Sequence, residues 1–318
     1  MRNCLLCFMV LSISSQATDS PTQKITPGKV IVPYKKMRRI WGELVSVDLE
    51  KRTGTFRAEG EDRIYRFAAM PYAEMLHHAT KGYLSDFRIG ERAIFRMHVN
   101  EEGEWYWLTY IQDEMNMLNG HKEYYFVDSI DAAKGRVFFT WAKGDKSLIR
   151  QDGLFFDTNK ETRYWKNGKP AQFADIKVGD KLRTKSRGNG QGRSRIAWHV
   201  FLDNVSLEKF RDEQIVVQAE RLTRDGAAGY VDQLNGNELT VTMFGSGSSV
   251  VEKLKSGSKV RVAPASTNLK QTGEPISGTV IESTRGKIHT RSLKIKLEAP
   301  ATGFRVTHVV RLWKLDAE

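Results

Sequence analysis

One phrase, written three times, constrains the fold of this chain more than any other feature. Around Gly90 it reads LSDFRIGERAIFRMH, around Gly179 FADIKVGDKLRTKSR, and around Gly257 VEKLKSGSKVRVAP. Each copy runs from an apolar residue through a polar turn holding the glycine into an alternating, strand-like segment. The glycines stand 89 and 78 residues apart, the length of a small domain and too long for a solenoid repeat. A second alternating phrase closes each unit: WYWLTYIQD at 105–113, RIAWHVFLD at 195–203 and RVTHVVRLW at 305–313. In the third unit a long insertion precedes it. Two phrases in fixed order divide the chain into three modules, residues 35–118, 119–207 and 208–318.

Within module one, period-two alternation marks strands at 40–48, 53–59 and 63–68. Pro71 is then expected to open a short helix running through Met75 to Ala79 and ended by Gly82. Strands at 93–99 and from Trp105 complete the unit. Three strands, a helix and two strands is the order of an OB-like barrel. Module two repeats the pattern with strands at 124–130, 136–141, 181–187 and 195–202, and Asn167-Gly168 supplies a hairpin turn in the helix slot. The expected fold is all-β: three tandem small OB-like β-barrels, with a short helix in module one.

Gly42-Glu43-Leu44-Val45-Ser46-Val47-Asp48 at the start of module one, and Asp175-Ile176-Lys177-Val178-Gly179-Asp180 in module two, carry a resemblance. The chain resembles the bacterial family of small exported OB-like β-barrel domains of unknown function, in tandem copies. The likeness covers modules one and two. It implies fold and export, and no chemistry.

Residues 1–17 read as a secretory signal peptide. Arg2 is followed by the apolar run 4–13, and Ser15-Gln16-Ala17 places small residues at a cleavage site. The run is too short to span a bilayer, and no later stretch is apolar enough to do so. The product is therefore expected to be exported, periplasmic or extracellular, after a disordered lead at 18–34. Both cysteines, Cys4 and Cys7, fall in the removed segment, so the mature chain has no disulfide, thiolate metal site or cysteine nucleophile. The formal net charge is +12. It is uneven: residues 35–118 carry −1, residues 119–207 carry +7 and residues 208–318 carry +4. A basic surplus of this kind points to an anionic partner.

The sharpest basic feature follows Gly179. Lys181, Arg183, Lys185 and Arg187 occupy alternate positions of one strand, so all four leave it on the same face. A glycine-rich tip follows, then Arg193 and Arg195, with no acidic residue between Lys181 and Leu202. Trp165 and Trp198 are candidate stacking platforms beside this ladder. OB-like faces bind extended polymers in such a way, and the implied partner is a polyanionic polymer or cell-envelope component.

An alternative is a soft-metal site. Met70, Met75, His77 and His78 head a cluster of thioether and imidazole groups in module one, a donor set suited to Cu(I) or Ag(I). A third reading is a purely structural spacer. The sequence contains no nucleophile elbow, H-E-x-x-H or Walker loop, so the expected role is non-catalytic and calls for no cofactor.

Overall fold

Phe56 and Ala58, Tyr65 and Phe67, and Phe95 and Met97 are pairs two residues apart. In extended backbone each pair shares a face, and that face is the interior of the first barrel. The computed structural model describes residues 37–61, 63–144, 147–188, 195–245, 251–286 and 290–315. The signal peptide read at 1–17, the lead at 18–34 and Arg193 lie outside the described residues.

Module one contains β1 (Arg38–Asp48), β2 (Thr53–Ala58), β3 (Ile64–His77), the short β4 (Thr80–Lys81), β5 (Arg92–Val99) and β6 (Trp105–Asp113). They close in the order β1-β2-β3-β6-β5-β1, with β3 parallel to β6 and every other pair antiparallel. Phe56 stacks on Phe95 with ring centroids 3.9 Å apart at its centre. The helix α1 (Glu114–Gly120) leads into module two.

Module two repeats the order with β7 (Glu123–Asp131), β8 (Arg136–Lys143), β9 (Ser147–Asp157), β10 (Arg163–Lys166), β11 (Lys169–Ala171), β12 (Lys181–Arg187) and β13 (Ile196–Phe201). The ring is β7-β8-β9-β13-β12-β7, and β9 is again parallel to β13. A 22-residue helix, α2 (Asn204–Asp225), follows.

Module three is a closed barrel of six antiparallel strands: β14 (Ala227–Asn235), β15 (Glu238–Met243), β16 (Lys259–Ala265), β17 (Ile276–Arg285), β18 (Arg291–Leu297) and β19 (Val309–Lys314). The described chain is thus three small closed barrels, all-β apart from one short and one long connecting helix. Among the described residues no helix is long and apolar enough to cross a membrane.

The repeated glycine has a common physical cause. Gly90, Gly179 and Gly257 all take left-handed backbone, with φ of 87°, 93° and 89°. Each donates its N–H to a residue at a β-bulge: Leu44, Val127 and Val280, at 2.7, 2.9 and 2.8 Å. The bulged residue donates back to the carbonyl that follows the glycine. A fourth copy joins Thr307, φ 71°, to the bulge at Val231.

Module three is therefore two copies of one unit, a hairpin, a turn and a strand. The turn of each copy docks on the hairpin of the other. The segment read as an insertion is the second hairpin. RVTHVVRLW, read as a closing phrase, corresponds structurally to the Gly257 turn. Strand order here differs from the β1-β2-β3-β6-β5 ring of module one.

The helix expected between Pro71 and Ala79 does not form. Residues 64–77 are one strand, and Pro71 sits where the β3–β6 register shifts between Ala69 and Glu74. A missing N–H is tolerated at such an irregularity. Met70, Tyr72 and Met75 are buried by the strand, in two different apolar clusters. The short helix in this region is α1.

The modules share cores. Ile94 and Trp41 of module one pack with Tyr125 and Val127 of module two. Met70 and Tyr72 pack with Tyr230, Phe244 and Val309 of module three.

Candidate functional site

The largest concentration of ionisable groups lies where module one, module two and α2 meet. β3 turns into β4 through His78 and Ala79, both left-handed at φ 48° and 60°. A two-residue hairpin turn of this hand ordinarily takes Asn-Gly, so a histidine and an alanine there carry backbone strain. The strained turn stacks the His77 and His78 rings 3.9 Å apart and points both into the junction.

Lys185, on β12, enters from module two and is buried. Its ammonium donates to Nε2 of His77 and to Nε2 of His78 at 3.0 Å, and it forms an ion pair with Oε1 of Glu91 at 3.0 Å. Oδ2 of Asp113 lies 3.6 Å away and accepts from the His78 backbone N–H at 3.0 Å. Oδ1 of Asp113 caps α1 by accepting from the Asn116 N–H at 2.7 Å.

Because Nε2 of His77 accepts, its Nδ1 carries the proton and donates to Oε1 of Gln214 on α2 at 3.1 Å. Gln214 donates in turn to Asp86, which Arg221 holds with two bonds of 2.7 and 2.6 Å. Both imidazoles are neutral. Burial lowers His77 to about 3 and His78 to about 2, and the Lys185 charge pushes in the same direction. Burial raises Glu91 to about 7 against the pull of Lys185.

A second knot adjoins the first. Glu114 is buried and accepts from Arg195 at 2.5 Å, Tyr125 at 2.6 Å and Arg92 at 3.2 Å, and from the Ser186 hydroxyl. Burial alone would raise its carboxyl, but Arg195 and then Arg92 outweigh burial and hold it below the ordinary range. Arg92 also pairs with Glu59 at 2.9 Å and lies 3.8 Å from the centre of the Trp41 ring.

These positions revise the basic ladder. Lys181, Arg183, Lys185 and Arg187 do project from one face of β12, because Leu182, Thr184 and Ser186 are buried on the other. That face lies outside barrel two, but at Lys185 it is covered by module one and α2. Lys181 and Arg187 remain exposed, with Arg187 3.7 Å from Glu43. Arg183 is half-buried and donates to Asn204 at 2.5 Å. Arg195 is not a surface residue, since Glu114 holds it in the interior.

The aromatic candidates are also engaged. Trp165 donates its indole N–H to His199 at 3.0 Å and stacks on that ring. Trp198 is half-buried with the Arg88 guanidinium 5.9 Å from its ring.

The soft-metal residues are divided. His77 and His78 meet, and with Asp113 their ligand atoms fall within 4.8 Å of one another. Met70 lies in the cluster shared with module three, and Met75 lies in the core of barrel one. The imidazole nitrogens already accept from the Lys185 ammonium, which takes the place a cation would have. Glu91, Asp113, Glu114 and Gln214 were not anticipated from the sequence, where none belongs to a recognisable motif.

Comparison with protein-family models, with characterised proteins and with solved structures finds no match to this chain.

Proposed function

We propose that this chain is a non-catalytic binding scaffold, exported on the reading of residues 1–17, whose exposed basic residues in module two contact a polyanion. The observation that supports this reading is the closed junction. Lys185, His77, His78, Glu91, Asp113 and Glu114 are the groups most able to transfer protons, attack a substrate or ligate a metal. All are buried or nearly so; the first five are hydrogen-bonded or ion-paired among themselves, and Glu114 is held by Arg195 of module two. A set paired in this way holds modules together.

Two of the exposed basic residues, Lys122 and Lys181, line a groove of about 350 Å³ together with Arg183, Tyr124, Asn204 and the carboxylate of Asp203. The Lys181 ammonium lies 4.8 Å from the Tyr124 ring centre. Cations beside an aromatic face suit an extended anionic polymer.

Retention on immobilised heparin, against a plain cation exchanger in the same salt gradient, tests the reading. The scaffold should leave heparin at clearly higher salt, and Lys122→Glu with Lys181→Glu should abolish the difference. Equal elution from both columns would contradict a polyanion site and leave a spacer.

A further inference from the structure

Modules one and three meet along a cleft of about 420 Å³. Arg52, in the turn between β1 and β2, lines one wall, and Arg311, on β19, lines the other. Among the described residues neither has a counter-charge. Arg52 donates from Nη2 to the Met70 carbonyl at 3.2 Å, while its Nε is sealed from solvent without a partner. Arg311 is buried and donates to the carbonyls of Leu269 and Gly226 at 2.9 and 3.0 Å.

Among the described residues no carboxylate oxygen comes within 4.0 Å of either guanidinium. The one carboxylate lining the cleft, Asp225, is held by Arg224 through two bonds of 2.7 and 2.9 Å. Burial, and after it the charge of Arg311, lowers Arg52 to about 10.

Two arginines that repel each other inside a junction are costly, whereas Arg92, Lys185 and Arg195, buried between modules one and two, each find a carboxylate. The chain also holds both walls in strained backbone. Arg52 and Leu269 are left-handed at φ 56° and 68°, a conformation that side chains other than those of glycine and asparagine rarely adopt. The cleft is roofed by Asn268, which donates to the Glu50 carbonyl at 2.7 Å, and by the Lys270–Glu50 ion pair at 3.0 Å.

We propose that this cleft binds a doubly charged oxyanion, a phosphate or sulfate group, between Arg52 and Arg311. A planar carboxylate is satisfied by one guanidinium fork. A tetrahedral dianion presents oxygens to both walls at once and supplies the charge that both arginines lack. Tyr83 and Trp313 offer flat surfaces at the same cleft to whatever carries the group. The site is separate from the module-two groove: Lys122 and Lys181 do not line it.

Calorimetric titration of the full chain with inorganic phosphate and with inorganic sulfate, at ionic strength matched with chloride, tests the proposal. Saturable one-to-one binding below about 10 mM is expected, well under the range where these salts stabilise proteins generally. Arg52→Gln should weaken binding about tenfold or more, and so should Arg311→Lys, which keeps the charge but loses the fork. In chloride Arg52→Gln should melt at or above the wild-type temperature, because an unpaired cation has gone. Lys181→Glu should leave the titration unchanged.

A sulfated heparin disaccharide titrated in parallel identifies the carrier. Tighter binding than sulfate assigns the site to a sulfated sugar, and equal binding assigns it to the free anion. No saturable binding of either inorganic anion would overturn the proposal, as would binding that survives both arginine variants.

Discussion

At the scale of residues, the junction of modules one and two is built on one buried cation. Lys185 donates to two neutral imidazoles and forms an ion pair with Glu91, and Asp113 stands just beyond. This fixes the response to pH. The folded chain keeps His77 and His78 neutral far below the ordinary 6.5, chiefly through burial and then through Lys185. His98 is lowered to about 4 by burial, as is His199 with help from Lys185.

Below 6.5 the unfolded chain therefore binds protons that the folded chain does not, so this stability is complete above 6.5 and is lost as pH falls. Glu91 works the other way, since its raised carboxyl contributes stability that is lost as pH rises toward 7. Four imidazoles outweigh one carboxyl. Unfolding free energy should drop between about pH 6.5 and 5, by up to about 1.4 kcal/mol per pH unit for each of His77 and His78. Denaturant titrations at several pH values check this, and stability that holds or grows on acidification would contradict it. Sequence alone gave the parity of Lys181 to Arg187 correctly, because parity is local. It could not show that the outer face of one barrel is the inner face of a junction.

Two elements decide how the modules are held, and their legibility differs. The glycine turn was visible because left-handed backbone selects glycine and leaves a mark in the sequence. The fourth copy was hidden because Thr307 accepts the same conformation at a cost. Replacing Thr307 by Gly should therefore stabilise the chain, while Gly257→Ala should destabilise it, each by about 1–2 kcal/mol. Denaturant midpoints with unchanged slope would confirm the pair. A neutral Gly257→Ala would contradict the shared lock.

The helix α2 left no amphipathic mark because apolar burial, by Leu207 and Phe210, is confined to its first turns and the polarity is reversed beyond them. Gln214 and Gln218 face inward, where Gln214 serves His77 and Asp86, and Val205, Ile215, Val216 and Val217 face solvent. The 71–79 segment failed for a related reason. Pro71 was read as a helix start, but tertiary pairing with β6 makes it an irregular point in a long strand.

For the whole molecule, three modules were legible from repetition, and the all-β class from alternation. The joints were not, because they are made of single polar residues brought together from distant segments: Lys185 meets His77 across 108 positions and Arg195 meets Glu114 across 81. Such joints explain why three small barrels, each near the lower size limit for an independent core, form one body. They also turn the most reactive-looking residues of the chain inward.

The most direct test is competitive acetylation of the native protein with an amine-reactive reagent, read peptide by peptide by mass spectrometry. A closed junction predicts that Lys181 is modified promptly, while Lys185 is protected and reacts only as fast as the chain opens. Modification of Lys185 as fast as Lys181, or faster, would mean an open site with an available nucleophile, and the scaffold account would fail.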